Sequence, residues 1–367
     1  MTQARGNSFF FKAGLVVRFV QAILQINKFN NTTSSYHRFA KKRLNEQLTP
    51  FNALIEAKLP WNAKEKMQWY VAEFLFVGES FSKLLDVPFT QHIKETYFRC
   101  GVLVALCDLI IDDVELSDEE IKELKKPLDL NNSRNEVQQL YTEVYRAFFA
   151  SMPDERNNEV AHYYEKLFDA QVMSKRQFDP NISKEEVDLV CREKCGYNFL
   201  LLRAIVGDEI SAKERETWYE VGALVQFCND AQDMHKDLQK GMRTFASVRP
   251  GIDTIVRDLD RQRKIAFALV TKTPFEEDRK DEFLFSLFVM YTAILAKLNI
   301  FSNLCGGDFS LERFRSLDKQ RVRRSVSPSR LLKLMLPLVS QYQFDKIEGI
   351  SFEFKANRFS IDRSTRN

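Results

Sequence analysis

The chain has 367 residues, 44% of them hydrophobic, so it is long and apolar enough to bury a large core. Its 54 Lys and Arg residues stand against 51 Asp and Glu, and the formal net charge of +3 argues against a nucleic-acid or strongly acidic partner. The six cysteines lie mostly in apolar runs without Cys-x-x-Cys spacing or a histidine cluster. This pattern disfavours a disulfide framework and a zinc site, and it predicts buried thiols in a reducing, cytoplasmic compartment.

The first predicted element is a basic amphipathic segment at residues 1–34. The charged residues in positions 1–45 are all basic, and apolar residues recur at helical spacing at Leu15, Phe19, Ile23 and Ile26. Arg18 interrupts the apolar run, which argues against a signal peptide, and the run is too short to span a bilayer. Two interpretations stay open for this helix, namely docking on the body of the protein and peripheral contact with a membrane surface.

The rest of the chain carries the signature of an all-α protein. Glycine (12) and proline (10) are scarce, and apolar residues repeat every three to four positions. The spacing predicts helices over 9–28, 35–58, 63–84, 90–116, 118–127, 133–150, 155–173, 183–206, 212–240, 252–273, 278–303 and 329–343. We expect a single helical domain at 35–345, with a basic loop at 318–330, and a C-terminal tail at 346–367.

A stripe of carboxylates runs along the predicted helix that contains LVALCDLIIDDVE, residues 103–115. Positions i, i+4 and i+7 share a helix face, so Asp108, Asp112 and Glu115 line one stripe, while Asp113 points away. Small residues, Gly101 and Ala105, continue the same stripe. Ser117 followed by Glu120 predicts a capping box that starts the next helix.

Asp108 lies among apolar residues on every side of this helix. An ionised carboxylate left unpaired in such surroundings costs several kcal/mol. A divalent cation removes that cost, and Asp, Glu and Asn oxygens are the ligands that Mg²⁺ prefers, with phosphate and water completing its shell. The first stripe therefore predicts one side of a magnesium site.

A second polar stripe follows about 120 residues later in VGALVQFCNDAQDMHKDLQKG, residues 221–241. Its members share one helix face and are Gly222, Gln226, Asn229, Asp233, Lys236 and Asp237. The two stripes have matching offsets between a glycine and the acidic positions. We expect them to form two walls of one cavity, and acidic residues on two walls predict magnesium and a phosphorylated substrate between them.

These segments resemble the class I isoprenoid (terpenoid) synthases, which are all-α enzymes. DLIIDD at 108–113 is similar to the Asp-x-x-x-Asp-Asp motif of squalene and phytoene synthases, and GALVQFCNDAQDMHKD at 222–237 to their second motif. The second segment also resembles the terpene-cyclase motif Asn-Asp-x-x-Ser-x-x-Lys-Glu, with Asp in place of Ser and of Glu. KCGYNFLLLRAIVG at 194–207 resembles the Lys-Thr-Gly segment of polyprenyl synthases.

The resemblance implies a terpenoid synthase-like helical bundle around a central cavity that binds a prenyl diphosphate through a trinuclear Mg²⁺ cluster. The implied metal ligands are Asp108, Asp112, Glu115, Asn229, Asp233 and Asp237. Five of them, all except Glu115, are the candidate catalytic residues. The implied diphosphate donors are Lys194, Lys236 and Arg243. Rings near the motifs, such as Tyr197, Phe199 and Phe227, are expected either to stabilise a carbocation or to belong to the core.

Three functions remain open on this resemblance. The first is a terpene synthase or cyclase, a lyase that takes one prenyl diphosphate. The second is a prenyltransferase that joins two prenyl units, either head to head or by chain elongation. The third is a non-catalytic helical subunit of the same fold. The chain lacks the Arg-Arg pair that elongating enzymes carry after the first motif and the Ser-Arg-Ser-Phe-like start of squalene and phytoene synthases, so the subfamily stays open. The substrate length and the oligomeric state stay open as well.

Overall fold

The computed structural model describes residues 3–114, 116–125, 136–342, 351–355 and 358–362. The described helices are α1 (Gln3–Gln47), α2 (Asn52–Lys58), α3 (Ala63–Leu84), α4 (Gln91–Asp113), α5 (Asp118–Leu124), α6 (Glu136–Phe149), α7 (Asp154–Met173), α8 (Lys184–Ala204), α9 (Ala212–Lys240), α10 (Ile252–Thr271), α11 (Glu277–Leu304), α12 (Leu311–Arg315), α13 (Lys319–Ser325) and α14 (Pro328–Val339). Short 3-10 helices cover Thr49–Phe51 and Ser174–Phe178, and two strands follow, β1 (Ser351–Lys355) and β2 (Arg358–Asp362). The all-α class is confirmed, with one small hairpin added.

Polar caps set the start of several predicted helices. The Thr90 hydroxyl accepts from the Ile93 N–H at 3.3 Å at the start of α4. The predicted capping box is confirmed at α5, where the Ser117 hydroxyl accepts from the Glu120 N–H and the Glu120 carboxylate accepts from the Ser117 N–H at 2.9 Å. The first cap fixes the start of the helix that carries the first acidic stripe, and the second fixes the start of the helix that follows it.

Two predicted segments differ from the structure. The two helices expected at 9–28 and 35–58 are one continuous helix, α1, followed by the separate short helix α2. Burial of Ala40 and Leu44 keeps the second half of α1 helical despite its polar middle. The basic loop expected at 318–330 is wrong, because α13 begins there after Asp318, whose carboxylate accepts from the Arg321 N–H at 2.8 Å.

The chain divides into two compact units. We call residues 31–176 and 192–222 the α4 unit, and residues 1–30, 177–191 and 223–367 the α11 unit. The boundaries fall within α1, α8, α9 and the second 3-10 helix, so the first acidic stripe belongs to the α4 unit and Asn229, Asp233 and Asp237 belong to the α11 unit. The division into 1–34, 35–345 and 346–367 stays a prediction.

Helices α3 and α4 pack closely in the α4 unit. A Cβ built on Gly101 of α4 would lie 2.8 Å from the Cα of Val71 on α3, so only a glycine allows this approach. The Tyr97 ring lies against Gly78 of α3, and its hydroxyl donates to the Leu202 carbonyl at 2.6 Å. This packing buries every side chain of α4 from Val102 to Ile111, including Asp108.

Helix α11 is the core of its own unit. Ile26 of α1 and Met335 of α14 share a hydrophobic cluster with Val289 and Ala296 of α11. This turn of the N-terminal helix therefore packs on α11 and α14. Among the described helices, α11 alone is long and apolar enough to cross a membrane, and 72% of its most apolar 18-residue window is buried. A buried core helix has the same length and composition.

An antiparallel hairpin of β1 and β2 occupies part of the segment expected to be a tail. Phe352 pairs with Ile361 in its register and is 3% exposed. The Phe352 ring lies 5.6 Å from the Tyr291 ring and 5.7 Å from the guanidinium carbon of Arg263, which is itself buried. Aromatic and cation–π contacts therefore fasten β1 to the α11 unit.

Candidate functional site

The buried carboxylate of Asp108 is held by three donors in the α4 unit. The Lys66 ammonium lies 2.6 Å from Oδ2, and the Tyr70 hydroxyl donates to the same oxygen at 3.0 Å. The Lys194 ammonium donates to Oδ1 at 3.1 Å. Asp108 is 5% exposed, whereas the side chains of Lys66 and Lys194 are 26% and 23% exposed. We call these four residues the Asp108 cluster.

Electrostatics in the Asp108 cluster favour the ionised carboxylate. Burial alone raises the pKa of Asp108, but the ammonium groups of Lys194 and Lys66 outweigh it and hold the pKa well below its usual range. Burial of its hydroxyl and the neighbouring Asp108 charge raise the pKa of Tyr70, so Tyr70 stays a neutral donor.

These contacts explain why the Asp108 carboxylate is stable within an apolar helix. The sequence predicted that a divalent cation would compensate Asp108, whereas the structure compensates it with two lysines and a phenol. Lys66 and Tyr70 were missed by the sequence analysis. Their only signal is their spacing of four on α3, which places both on one helix face, and such pairs are common on solvated helices.

Asp112 lies one turn beyond Asp108 and faces solvent. The Gln171 amide on α7 donates to its Oδ1 at 3.2 Å. The pKa of Asp112 is raised, because the surrounding protein removes water from one side of the carboxyl group and Asp108 adds a negative charge. Asp113 is exposed as well, and Glu115 lies outside the described residues.

The small residues of the two stripes serve helix packing. Gly101 lies against the α3 backbone, as described above, and Ala105 is fully buried. A Cβ built on Gly222 of α9 would lie 2.3 Å from the carbonyl oxygen of Cys195 on α8. Gly196 of α8 meets the Tyr219 ring in the same way. The three glycines are therefore small because neighbouring atoms fill the space beside them, and the expected cavity between the two stripes stays a prediction.

Side-chain exposure in the second stripe decreases along α9, from Asn229 to Asp237, in the α11 unit. Asn229 is exposed, and the Asp233 side chain is 33% exposed with the Lys236 ammonium donating to its Oδ2 at 2.9 Å. Asp237 is 7% exposed. Burial, followed by the negative charges of Asp230 and Asp233, raises the pKa of Asp237 to about 7. This carboxyl group is thus the one in the stripe that a further cation would stabilise most.

Asp230, which the cyclase-like motif includes, has a structural role. Its Oδ1 accepts from the Gln226 amide at 2.7 Å, and its Oδ2 accepts from the Phe245 N–H at 3.0 Å and the Cys191 thiol at 3.1 Å. Asp230 is 3% exposed. It therefore holds the chain after α9 against the helix instead of facing a ligand.

The candidate diphosphate donors lie in different surroundings. Lys194 belongs to the Asp108 cluster, and Lys236 is 60% exposed beside Asp233. The Arg243 guanidinium donates to the Pro180 carbonyl at 2.9 Å, and the backbone N–H of Arg243 donates to the Gln177 carbonyl at 2.7 Å. Arg243 thus secures the segment before α8.

Two of the three rings near the motifs are buried against other rings. Phe199 is 4% exposed and lies edge-on to Phe81 with 6.2 Å between the ring centroids. Phe227 is 5% exposed and stacks on Phe245 at 4.0 Å. Tyr197, which is half-buried, contacts the Tyr219 ring. The packing of Phe199 and Phe227 favours their assignment to the core.

The two stripes differ in how well their side chains could bind a divalent cation. Within the described ranges, no group of three or more His, Cys, Asp or Glu side chains is placed to hold a metal ion. In the first stripe both oxygens of Asp108 already contact lysine ammonium groups, so a metal would have to displace them, and Asp112 is the accessible carboxylate. In the second stripe Asp233 is paired with Lys236, and Asp237, whose pKa is raised to about 7, is the carboxyl group that a cation would stabilise most. No family model matches the chain, and no curated protein matches it.

Proposed function

We propose that the chain is a class I isoprenoid synthase that uses Mg²⁺ to ionise an allylic prenyl diphosphate and form a terpene, on a terpenoid synthase-like bundle around a central cavity. The observation that carries the proposal is the 3.1 Å contact between the Lys194 ammonium and Asp108 Oδ1. It joins two segments, 86 residues apart, that the resemblance had assigned separately to diphosphate binding and metal binding. The cytoplasmic location, the prenyl diphosphate partner and the magnesium cofactor belong to this proposal.

In the proposed reaction the lysines bind the anionic end of the substrate. The ammonium groups of Lys66 and Lys194 are partly exposed, so each can keep one hydrogen bond to Asp108 and donate another to a diphosphate oxygen. Asp108 holds the two groups side by side and limits their mutual repulsion. Lys236 supplies a further exposed ammonium group.

Four oxygen-bearing side chains of the two stripes are the first proposed metal ligands, three of them accessible and one, Asp237, buried. They are Asp112, Asn229, Asp233 and Asp237, with Asp108 and Glu115 as the remaining members implied by the resemblance. When bound, Mg²⁺ would neutralise the charge that develops on the departing diphosphate. Ionised Asp237 is required for that role, and its pKa of about 7 means that a cation nearby would promote loss of its proton.

A non-catalytic member of the same fold is the second candidate. The observation that favours it is the compensation of Asp108 by Lys66 and Lys194, which balances the charge of the first motif without a metal. The two-substrate prenyltransferase remains an alternative for an active enzyme.

The deciding experiment is incubation of the protein with geranyl, farnesyl or geranylgeranyl diphosphate and Mg²⁺, followed by extraction and mass spectrometry. A hydrocarbon or alcohol from one substrate supports the terpene synthase, and a product joining two prenyl units supports the prenyltransferase. Asp108→Asn and Asp233→Asn should abolish turnover, whereas Asp113→Asn, on the exposed side of α4, should leave it unchanged. Absence of product with every substrate would favour the non-catalytic candidate.

A further inference from the structure

Two of the three tryptophans face solvent on the α4 unit. Trp61, in the link between α2 and α3, is 93% exposed, and Trp69 on α3 is 52% exposed, whereas Trp218 is fully buried. Exposed indoles mark surfaces that contact other molecules, because they combine a large apolar ring with one polar N–H group.

The charge around these rings is mainly positive. Residues 31–69 contain seven Lys and Arg side chains against three Glu. Lys58, just before Trp61, is exposed, and the Lys64 side chain is 38% exposed, 3.2 Å from Glu56. Two exposed acidic side chains lie close in sequence: Glu65 is four residues after Trp61 and four before Trp69, and Glu73 is four residues after Trp69.

Helix α1 extends this basic surface next to Trp69. The His37 ring lies 4.1 Å from the Trp69 ring, and the Gln68 amide donates to the His37 carbonyl at 3.1 Å. The residues that follow on α1 include the exposed side chains of Arg38, Lys41 and Lys42. Basic groups therefore lie near both exposed indoles.

We propose that this face, made of Trp61, Trp69, Lys58, Lys64 and the exposed basic residues of α1 from Arg38 to Lys42, docks on a bilayer that contains anionic lipids. Tryptophan favours the boundary between headgroups and acyl chains, where its ring is buried and its N–H stays hydrated. Lysine and arginine reach the headgroups from that depth through their flexible stems. The excess of one sign of charge favours an anionic lipid surface over a mixed-charge protein surface. This inference is independent of the isoprenoid proposal.

The test is binding of the full chain to phosphatidylcholine vesicles with and without roughly one third phosphatidylglycerol, measured by sedimentation and tryptophan fluorescence. We expect binding to the anionic vesicles to be at least about fivefold tighter and to weaken with added salt, since each basic group near such a surface contributes about that factor. The emission of Trp61 should shift to the blue and be quenched by brominated lipid.

Substitutions separate this surface from others. Trp61→Ser should weaken binding to anionic vesicles about tenfold or more, and Lys58→Glu should weaken it about fivefold or more. The matched control Phe178→Ser removes a ring that is 54% exposed in the α11 unit and should leave binding unchanged. Because Trp61 is exposed, its variant should keep the circular dichroism of the parent chain.

Two results would overturn the proposal. One is equal binding of the parent chain, Trp61→Ser and Phe178→Ser to anionic vesicles. The other is self-association of the parent chain that Trp61→Ser abolishes while vesicle binding is absent, which would assign this face to a protein contact.

Discussion

Asp108→Asn tests the compensation of charge in the Asp108 cluster. The substitution keeps the shape of the side chain but removes the negative charge that two ammonium groups share. Loss of one partner from a fully buried pair costs about 3–5 kcal/mol. Here the lysines are about one quarter exposed and can turn partly to water, so we expect a loss of about 2–3 kcal/mol in the free energy of unfolding at pH 7.

The pH dependence of this loss has a definite sign. Asp108 has a folded-state pKa below its unfolded value, so its stabilising contribution is present above about pH 4 and declines as the pH falls further. The difference between the parent chain and Asp108→Asn should therefore be constant from pH 5 to 7 and shrink below pH 4. Urea denaturation followed by circular dichroism at each pH gives the free energies.

A surface pair supplies the control for this measurement. Asp169 contacts Lys125 at 2.8 Å, but its side chain is 52% exposed, so Asp169→Asn should cost less than about 1 kcal/mol. Equal small losses for Asp108→Asn and Asp169→Asn, or a loss for Asp108→Asn that persists undiminished below pH 4, would refute the role assigned to the Asp108 cluster.

Two further predictions concern α9. Gly222→Ala places a methyl group 2.3 Å from the Cys195 carbonyl oxygen and should lower the free energy of unfolding by about 2–4 kcal/mol, measured by thermal or urea unfolding. The control Gly241→Ala has open space around it but a φ of +71°, and it should cost about 1 kcal/mol. Equal losses for the two variants would contradict the close packing of Gly222. Asp237 has a raised folded-state pKa of about 7, so stability falls as the pH rises from about 4 to 7, and Asp237→Asn should gain about 2–4 kcal/mol relative to the parent chain between pH 4 and pH 8. A relative stability that does not change with pH would remove that assignment.

The regular helices were predictable from the sequence where apolar residues recur at helical spacing. The predicted bounds of α3 and α9, at 63–84 and 212–240, match the structure. Ser117 gave a correct helix start because its capping chemistry is local. By contrast, the middle of α1 is polar and looked like a break, and only tertiary burial of Ala40 and Leu44 shows that the helix continues.

The site was predictable only in part. The apolar pattern placed Asp108 correctly in a buried helix, and the resemblance of residues 194–207 to a known motif selected Lys194, which contacts it. Lys66 could not be selected, because a lysine on an amphipathic helix usually faces water and its contact with Asp108 depends on how α3 packs on α4. The structural role of Asp230 could not be predicted for the same reason, because the hydrogen bonds that it accepts from Cys191 and the Phe245 N–H come from segments distant in sequence.

The most direct test of the proposed function is release of inorganic diphosphate from farnesyl diphosphate, measured with Mg²⁺ and with excess chelator. The account predicts release that requires Mg²⁺ and falls by at least about 100-fold in Lys194→Met, because the ammonium group that binds the leaving diphosphate is lost. Lys64→Met, which removes a surface lysine 3.2 Å from Glu56, should keep the parent rate. Release that is unaffected by chelator, or equal rates for the two lysine variants, would contradict the account.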